Sequence, residues 1–269
     1  MSFVPRVTVQ GVEVHVEGDH PRTVVMLHGW PDSYRLWDKT VDALKDRYGC
    51  VRFTLPGFDV AAPARATSLD DMCELLRTIV DRVSPGVPVT LLLHDWGCIF
   101  GYEFASRHPH RVERIVSVDV GDHNSGAFVS ALSAKQRWQV FGYQIWLALA
   151  WKLGGGPGNW MTRAMARAMR CRTDPAAIGW QMNYPYAMRW FGTLGGLGGA
   201  AQVRPACPML YIYGLRKLFM LHSPAWLAEL AARPLCAVQA FPTGHWVMEQ
   251  QPVEFSRCVR QWLTATDRA

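Results

Sequence analysis

The sequence lacks paired cysteines, clusters of basic residues and a long apolar segment near its N-terminus. Its seven cysteines are scattered and odd in number, without a CxxC pair, which argues against a disulfide framework and a zinc site. Lysine and arginine form no continuous run of the kind that marks a nucleic-acid interface. Residues 1–18 alternate apolar and polar side chains, unlike a signal peptide or a membrane anchor.

We therefore expect reduced cysteines that serve packing, a cytoplasmic location, and no nucleic-acid or membrane partner. The chain is rich in apolar residues: 49% of its 269 residues are hydrophobic, enough for a large core in one α/β domain. The net charge of +6 and the pI of about 9.0 are interpreted as a solubility feature. No pattern indicates an oligomeric state.

Strand-like and helix-like segments alternate at both ends of the chain, which predicts a mainly parallel sheet flanked by helices. A hairpin is expected at residues 6–17, and helices are expected to begin at residue 33, after Ser68, after Ser223 and at Pro252. Strands are expected at residues 23–27, 51–55, 88–93, 114–118, 208–213 and 236–240. The third of these is expected to be buried, and the helix 97–107 follows it.

Between residues 122 and 203 the pattern changes. Tryptophan and methionine become frequent, helical periodicity dominates, and two glycine-rich stretches interrupt it. We interpret residues 122–203 as a helical lid inserted into a core made of residues 1–121 and 204–269.

Residues 89–98 run from an apolar strand into a sharp turn and then a helix, the pattern of a nucleophile elbow. The residue at the tip is Asp95, and Gly97 and Gly101 allow the turn and the helix to pack closely. A carboxylate at a helix N-terminus is stabilised as an anion and can attack a saturated carbon that bears a leaving group. An aspartate before a helix is more often only a cap, so this interpretation depends on the other motifs.

The second motif is the loop from His28 to Ser33, which follows an apolar strand. A loop in this position supplies one backbone N–H to an oxyanion hole, and the residue after the nucleophile supplies the other. These donors are expected to be the amides of Trp30 and Trp96, and His28 and Pro31 shape the loop. Alone, the segment is also compatible with an ordinary turn.

The third motif is His245, which lies in a loop between the last strand and the last helix and is suited to act as a general base. His222 is the other late candidate and ranks below it. An acid must hold the imidazole ring, and residues 213–219 contain no carboxylate. Asp119, at the end of the strand after the elbow helix, is therefore our choice, with Asp122 as the alternative.

These motifs resemble the epoxide hydrolase and haloalkane dehalogenase branch of the α/β-hydrolases over nearly the whole chain. The loop at His28 is similar to the HGxP motif of epoxide hydrolases, and residues 94–97 look like the elbow that both groups share. The resemblance implies the α/β-hydrolase fold with a helical cap, a catalytic triad, a covalent ester intermediate and no metal or organic cofactor. The position of Asp119 is more similar to one group of dehalogenases.

The resemblance also implies two lid tyrosines that bind and protonate an epoxide oxygen. Tyr143 matches the neighbourhood of the first, and Tyr186 is preferred to Tyr184 for the second. Lid packing is the alternative role for all three side chains. The implied substrate is a small hydrophobic epoxide, attacked by Asp95 and released as a vicinal diol after His245 activates water.

Three other functions are compatible with parts of this pattern. A haloalkane dehalogenase would use the same triad, with the indole of Trp96 and a lid tryptophan such as Trp138, Trp146 or Trp180 holding the halide. A non-catalytic protein of the same fold would bind apolar ligands without turnover. An esterase ranks last, because the elbow has no serine.

Overall fold

The computed structural model of the protein describes residues 6–267. Residues 1–5 and 268–269 lie outside this range. The predicted core segments, 1–121 and 204–269, therefore extend at their outer ends beyond the described residues. The start of residues 1–18, whose alternating pattern is unlike a signal peptide, also lies outside them.

An eight-stranded, mainly parallel sheet forms the centre of the protein. The strands are β1 Arg6–Val9, β2 Val12–Glu17, β3 Thr23–Leu27, β4 Gly49–Phe53, β5 Val89–His94, β6 Val112–Val118, β7 Met209–Gly214 and β8 Ala237–Phe241. Their order across the sheet is β1-β2-β4-β3-β5-β6-β7-β8. Only the β1–β2 and β2–β4 pairs are antiparallel, and the five pairs from β4–β3 to β7–β8 are parallel.

Helices cover both faces of the sheet and form a group beyond its carboxyl edge. They are α1 Asp38–Leu44, α2 Leu69–Val83, α3 Trp96–Arg107, α4 Gly126–Ala131, α5 Ala134–Leu153, α6 Gly155–Ala168, α7 Tyr184–Phe191, α8 Pro224–Ala231, α9 Val247–Gln250 and α10 Pro252–Thr266. Every residue of β3 and β5 is buried, as expected for strands in a parallel sheet covered on two sides.

The sheet separates two apolar clusters. Ile79 of α2 and Phe100 of α3 belong to the cluster on one side, together with side chains from α5 and α7. Val41 of α1 and Phe255 of α10 belong to the cluster on the other. The predicted α/β architecture is confirmed. All seven cysteines are free, in keeping with a packing role.

Most predicted elements are found with small shifts at their ends. The hairpin at residues 6–17 is confirmed, with Val9 paired to Val12 across the turn. Ser68 and Ser223 cap α2 and α8 through their hydroxyl oxygens, as predicted. The single helix expected at residues 33–47 is wrong: a 3₁₀ turn at Tyr34–Trp37 precedes the shorter α1.

Helices α4 to α7 lie between β6 and β7, in the segment that the sequence assigns to a lid. Division of the chain into core and lid at residues 122 and 203 stays an interpretation. Gly154 ends α5 with a φ of 62° and lets α6 begin at once. Across residues 6–267, no helix has both the length and the apolar character needed to cross a membrane.

Candidate active site

Asp95 occupies the tip of the turn between β5 and α3. Its backbone has φ 51° and ψ −121°, a conformation that costs a residue with a side chain of the order of 1–3 kcal/mol. This strain turns the carboxylate out of the sheet at the N-terminus of α3. Such a backbone is maintained only where the surrounding structure over-determines it.

Two glycines make room for the turn. A Cβ on Gly29 would lie 2.3 Å from Asp95 Oδ1, and a Cβ on Gly97 would lie 2.4 Å from the carbonyl oxygen of Leu27. Both distances are far below van der Waals contact, so any larger residue at either position would push the loop His28–Ser33, here called the Trp30 loop, away from the elbow. The glycines therefore fix the separation between Asp95 and that loop.

The loop after β3 directs a backbone donor at the elbow. The Trp30 amide donates to Asp95 Oδ1 at 2.7 Å. The fully buried His28 holds the loop in shape, since its Nε2 accepts from the Leu55 amide at 2.9 Å and its Nδ1 contacts the Gly29 carbonyl. Pro31 is buried beside Trp30 in the same loop. The Trp96 amide is the first of α3, next to Asp95, as the elbow pattern predicts.

His245 lies between Asp95 and Asp119. Its Nε2 is 3.4 Å from Asp95 Oδ2, and its Nδ1 is hydrogen-bonded to Asp119 Oδ2. The loop between β8 and α9 carries the ring, and the carbonyl of His245 contacts Nε2 of His94 at 3.2 Å. The other late candidate, His222, is hydrogen-bonded through Nδ1 to the hydroxyl of Tyr211 at 2.8 Å.

Asp119 is fully buried at the end of β6 and has three donors. Besides His245, its Oδ1 accepts from the Gly214 amide at 3.0 Å and from Nζ of Lys217 at 2.6 Å. The carboxylate of Asp122 instead accepts hydrogen bonds from the amide and from the hydroxyl of Ser223, each at 2.7 Å. The structure thus brings Asp119, and not Asp122, to the imidazole.

The charges in this cluster stabilise one another. Burial disfavours the anion of Asp119, but Lys217 and His245 outweigh this effect and lower its pKa to about 2. Burial likewise lowers the pKa of His245, but Asp119 and Asp95 raise it to about 9. For Asp95, His245 outweighs burial, so its pKa lies below the ordinary value. With both carboxylates ionised, His245 is protonated at neutral pH.

Tyr143 and Tyr186 line the same cavity, with ring centroids 6.1 Å apart. The hydroxyl oxygen of Tyr143 accepts from Nε2 of Gln144 at 2.9 Å, which leaves its proton free to be donated. Burial raises the pKa of Tyr143 to about 12 and raises that of Tyr186 well above its ordinary value. Tyr184 faces away and packs its ring 6.1 Å from Phe58.

The cavity has a volume of about 940 Å³ and is lined by Asp95 and His245 and by residues of α5, α6 and α7. Asp95, His245, Trp30, Tyr143 and Tyr186 contribute to its wall. The other lining residues are mixed: Met165, Ala168, Met169, Leu218, Phe219 and Leu221 are apolar, and Gln139, Arg170, Arg216, Lys217 and Gln250 are polar or charged. A pocket that combines apolar walls with converging polar groups is typical of a small-molecule site.

Sequence reasoning missed three residues that support this site. Lys217 neutralises Asp119, and Gln144 orients Tyr143. Asp32 is buried and accepts from the Trp246 indole at 2.9 Å and from the Thr173 hydroxyl at 2.6 Å, which ties the His245 loop to the lid segment. The available signal for Lys217 was the pair Arg216 and Lys217 in residues 213–219, because a buried acid such as Asp119 needs a partner of opposite charge.

Comparison with known proteins supports the same fold. A family model described as alpha/beta hydrolase fold matches residues 22–144. "Probable oxidoreductase EphD" of Mycobacterium tuberculosis is 36% identical over 111 residues, which are 39% of this chain and 18% of that protein. "Epoxide hydrolase 2" of Caenorhabditis elegans is 23% identical over 274 residues, which are 91% of this chain and 76% of that protein.

Among solved structures, an epoxide hydrolase of Bacillus megaterium in complex with an inhibitor matches with a TM-score of 0.71. The match has 18% identity and covers 97% of this chain and 100% of that one. The sheet order, the elbow and these matches define the chain as a protein of the α/β-hydrolase fold. Among proteins of that fold it resembles the epoxide hydrolases. The chain spans only 18% of the length of EphD.

Proposed function

We propose that this protein hydrolyses epoxides to vicinal diols through an alkyl ester on Asp95. One observation carries the proposal: a single cavity is lined by a carboxylate at an elbow tip, by His245 and by two phenols, the buried Tyr186 and the partly buried Tyr143. A carboxylate nucleophile suits a saturated carbon. When that carbon is attacked, the oxygen bonded to it leaves and needs a proton, which the phenols supply. In an epoxide, this oxygen stays attached to the neighbouring carbon of the substrate.

In the first step, Oδ2 of Asp95 attacks an epoxide carbon and the C–O bond of the ring breaks. The electron pair of that bond goes to the ring oxygen, where Tyr143 and Tyr186 donate hydrogen bonds and a proton. The other carboxylate oxygen, Oδ1, stays at the Trp30 amide throughout. The product of this step is a hydroxyalkyl ester.

In the second step, His245 removes a proton from water, which attacks Cγ of Asp95. Esterification has already removed the negative charge of Asp95, so the pKa of His245 falls, and the proton that Nε2 carried passes through water to the tyrosinate left by the first step. Neutral Nε2 can then accept a proton from the attacking water. Negative charge develops on Oδ1, which the Trp30 and Trp96 amides stabilise. The tetrahedral species collapses, the ester bond breaks, and the leaving alkoxide takes the proton from Nε2 of His245. The diol leaves, and the proton of the new carboxyl group returns to His245, which restores the carboxylate of Asp95.

Lys217 tunes this second step through Asp119. Besides Asp95 and Asp119, the neighbouring titratable group is His94, whose ring centroid lies 4.5 Å from that of His245 and whose pKa is lowered to about 3, chiefly by burial. In the ester state, Asp119 is thus the carboxylate that still contacts His245. Lys217 offsets part of that charge and so keeps the pKa of His245 from rising further.

A Lys217→Met variant is expected to move the pH dependence of ester hydrolysis upward by about one pH unit, because the unpaired Asp119 holds the proton on His245 more tightly. At pH 7 the ester then hydrolyses several-fold more slowly, and the rate recovers at higher pH. Stopped-flow measurement of ester decay across pH checks this. Lys217→Arg, which keeps the charge, serves as the control, and a uniform loss at every pH would contradict the tuning role.

Removal of either lid phenol is expected to slow the first step. Tyr143→Phe and Tyr186→Phe should each reduce the rate of Asp95 alkylation by about 10-fold to 100-fold, because the alkoxide loses a donor. Diol formation from a styrene-type epoxide, followed with single-turnover kinetics, measures the effect. Tyr184→Phe is the matched control and should stay within about twofold, since its ring packs on Phe58 outside the cavity. Equal losses in all three variants would point to lid packing.

Haloalkane dehalogenation is the second candidate and fits less well. It needs two N–H donors around the halide, and the Trp96 indole is one candidate. The Trp30 indole donates to Oδ1 of Asn183 at 2.8 Å, and the Trp146 indole donates to the Met161 carbonyl at 2.9 Å. These two donors are already engaged, whereas the phenol protons suit an epoxide.

A further inference from the structure

Helix α5 is apolar on two faces. Val140, Gln144, Leu147 and Ala148 are buried against the rest of the lid. A second stripe recurs every three or four residues on the outside: Trp138, Phe141, Ile145, Leu149 and Leu153. Trp138 is 72% exposed and Leu153 is 63% exposed. A second apolar face on a helix is normally covered, but within residues 6–267 Trp138, Leu149 and Leu153 of this outer stripe remain exposed.

Helix α7 widens this surface. The Trp190 ring meets Phe141 edge to face, with centroids 5.0 Å apart, and Nζ of Lys152 lies 5.6 Å from the centroid of Phe191. Trp190 is 37% exposed and Phe191 40%. We call this surface the lid face, and its residues are Trp138, Phe141, Ile145, Leu149, Leu153, Trp190 and Phe191. Contiguous exposed apolar surface of this kind marks an interaction site.

The positive charge of the chain is concentrated in the same segment. Eight of the 28 lysines and arginines fall in residues 122–203, against two of the 22 acidic residues, Asp122 and Asp174. This segment alone therefore carries a charge of +6, and the rest of the chain is balanced. Across residues 6–267, no lysine or arginine of the segment forms an ion pair with a carboxylate.

The partner of the lid face has to accept tryptophan, phenylalanine and leucine side chains. The positive charge of Lys152 beside Phe191, and of residues 122–203 as a whole, favours a partner that is anionic. A second copy of the chain is apolar enough, but it would bring two segments of charge +6 together. An anionic lipid bilayer meets both requirements, because tryptophan and phenylalanine insert at the interface while lysine and arginine attract the headgroups. We propose that the lid face docks on the surface of an anionic lipid membrane, with α5 lying along the interface.

This proposal departs from the expectation of no membrane partner that the sequence suggested. The net charge of the chain does not reveal that it is concentrated in residues 122–203. Which apolar residues of α5 are exposed is seen only in the folded structure. The proposal is independent of the chemistry at Asp95. Apolar epoxides dissolve in lipid, so a protein docked there meets them at the concentration they reach in the bilayer.

Cosedimentation with lipid vesicles tests the proposal. The full chain is incubated with vesicles of phosphatidylglycerol mixed with phosphatidylcholine, and with vesicles of phosphatidylcholine alone, at low and at high salt. We expect at least about tenfold tighter binding to the anionic vesicles, and a loss of most of that preference at high salt. Failure to bind anionic vesicles at low salt would overturn the proposal.

Variants of exposed residues locate the binding surface. Leu149→Ser combined with Leu153→Ser is expected to weaken binding about tenfold or more, because two side chains no longer insert. Val87→Ser combined with Val253→Ser is the control, since these apolar residues are exposed outside the lid, at 48% and 69%. Lys135→Gln combined with Lys152→Gln should weaken binding to anionic vesicles only.

Two further measurements separate this proposal from its rivals. Epoxide turnover in buffer without vesicles should be the same for the wild type and the Leu149 and Leu153 variant, so loss of docking is distinguished from loss of catalysis. Analytical ultracentrifugation detects self-association. A dimer that the leucine substitutions dissociate, with vesicle binding unchanged, would identify the lid face as a contact between copies and refute the membrane proposal.

Discussion

Replacing His245 by alanine is expected to stop turnover after one chemical step and leave the substrate carbon bonded to Asp95. The carboxylate and both phenols remain, so alkylation proceeds, whereas the ester lacks the base that activates water. Hydrolysis of the ester should fall about a thousandfold or more. Intact-protein mass spectrometry after addition of an aryl or alkyl epoxide should show one adduct per chain, and peptide mapping should assign it to Asp95.

His110→Ala is a suitable control for that experiment because His110 is an exposed histidine that does not line the cavity. Its turnover should stay within about twofold of the wild type. An adduct that never accumulates on His245→Ala, across aryl and alkyl epoxides, would contradict either the nucleophile or the substrate class. Accumulation with brominated alkanes but not with epoxides would favour the dehalogenase candidate.

The second large effect is expected from Asp119→Asn. Asp119 orients the imidazole through Nδ1 and stabilises it when it takes a proton, and an amide reproduces neither role. Ester hydrolysis should slow about a thousandfold, while alkylation of Asp95 continues and the ester accumulates. Separate measurement of the alkylation and hydrolysis rates in single-turnover experiments tests this split.

Asp122→Asn is the matched control, three residues away. Asp122 caps the Ser223 end of α8 and does not contact His245, so its loss should affect stability by about 1 kcal/mol and leave ester hydrolysis nearly unchanged. If the two variants hydrolysed the ester at the same rate, the orienting role assigned to Asp119 would be wrong.

The sequence predicted the parts of the site that depend on local motifs. Asp95 and the Trp30 loop each follow a buried strand, and the carboxyl ends of neighbouring parallel strands meet at one edge of a sheet. His245 follows the last strand for the same reason. The α/β architecture was predictable because the apolar strand segments and the capping serines are local signals.

Contacts between distant segments were not predictable in the same way. Lys217 reaches Asp119 across 98 positions of sequence, and the pairing depends on how the loop after β7 folds over the end of β6. Tyr184 and Tyr186 are two positions apart on one helix, so they point to different sides, and the sequence alone does not fix which side faces the cavity. The lid face depends on tertiary exposure of α5, which a count of apolar residues does not reveal.

One measurement tests the covalent mechanism most directly: a single turnover of an epoxide in water enriched in heavy oxygen, with enzyme in excess. We expect the isotope to enter the side chain of Asp95, because water attacks its Cγ, and the diol formed in this turnover to carry unlabelled oxygen from the carboxylate. Label found in the diol, with none in Asp95, would mean that water attacks the epoxide directly and would contradict the covalent mechanism.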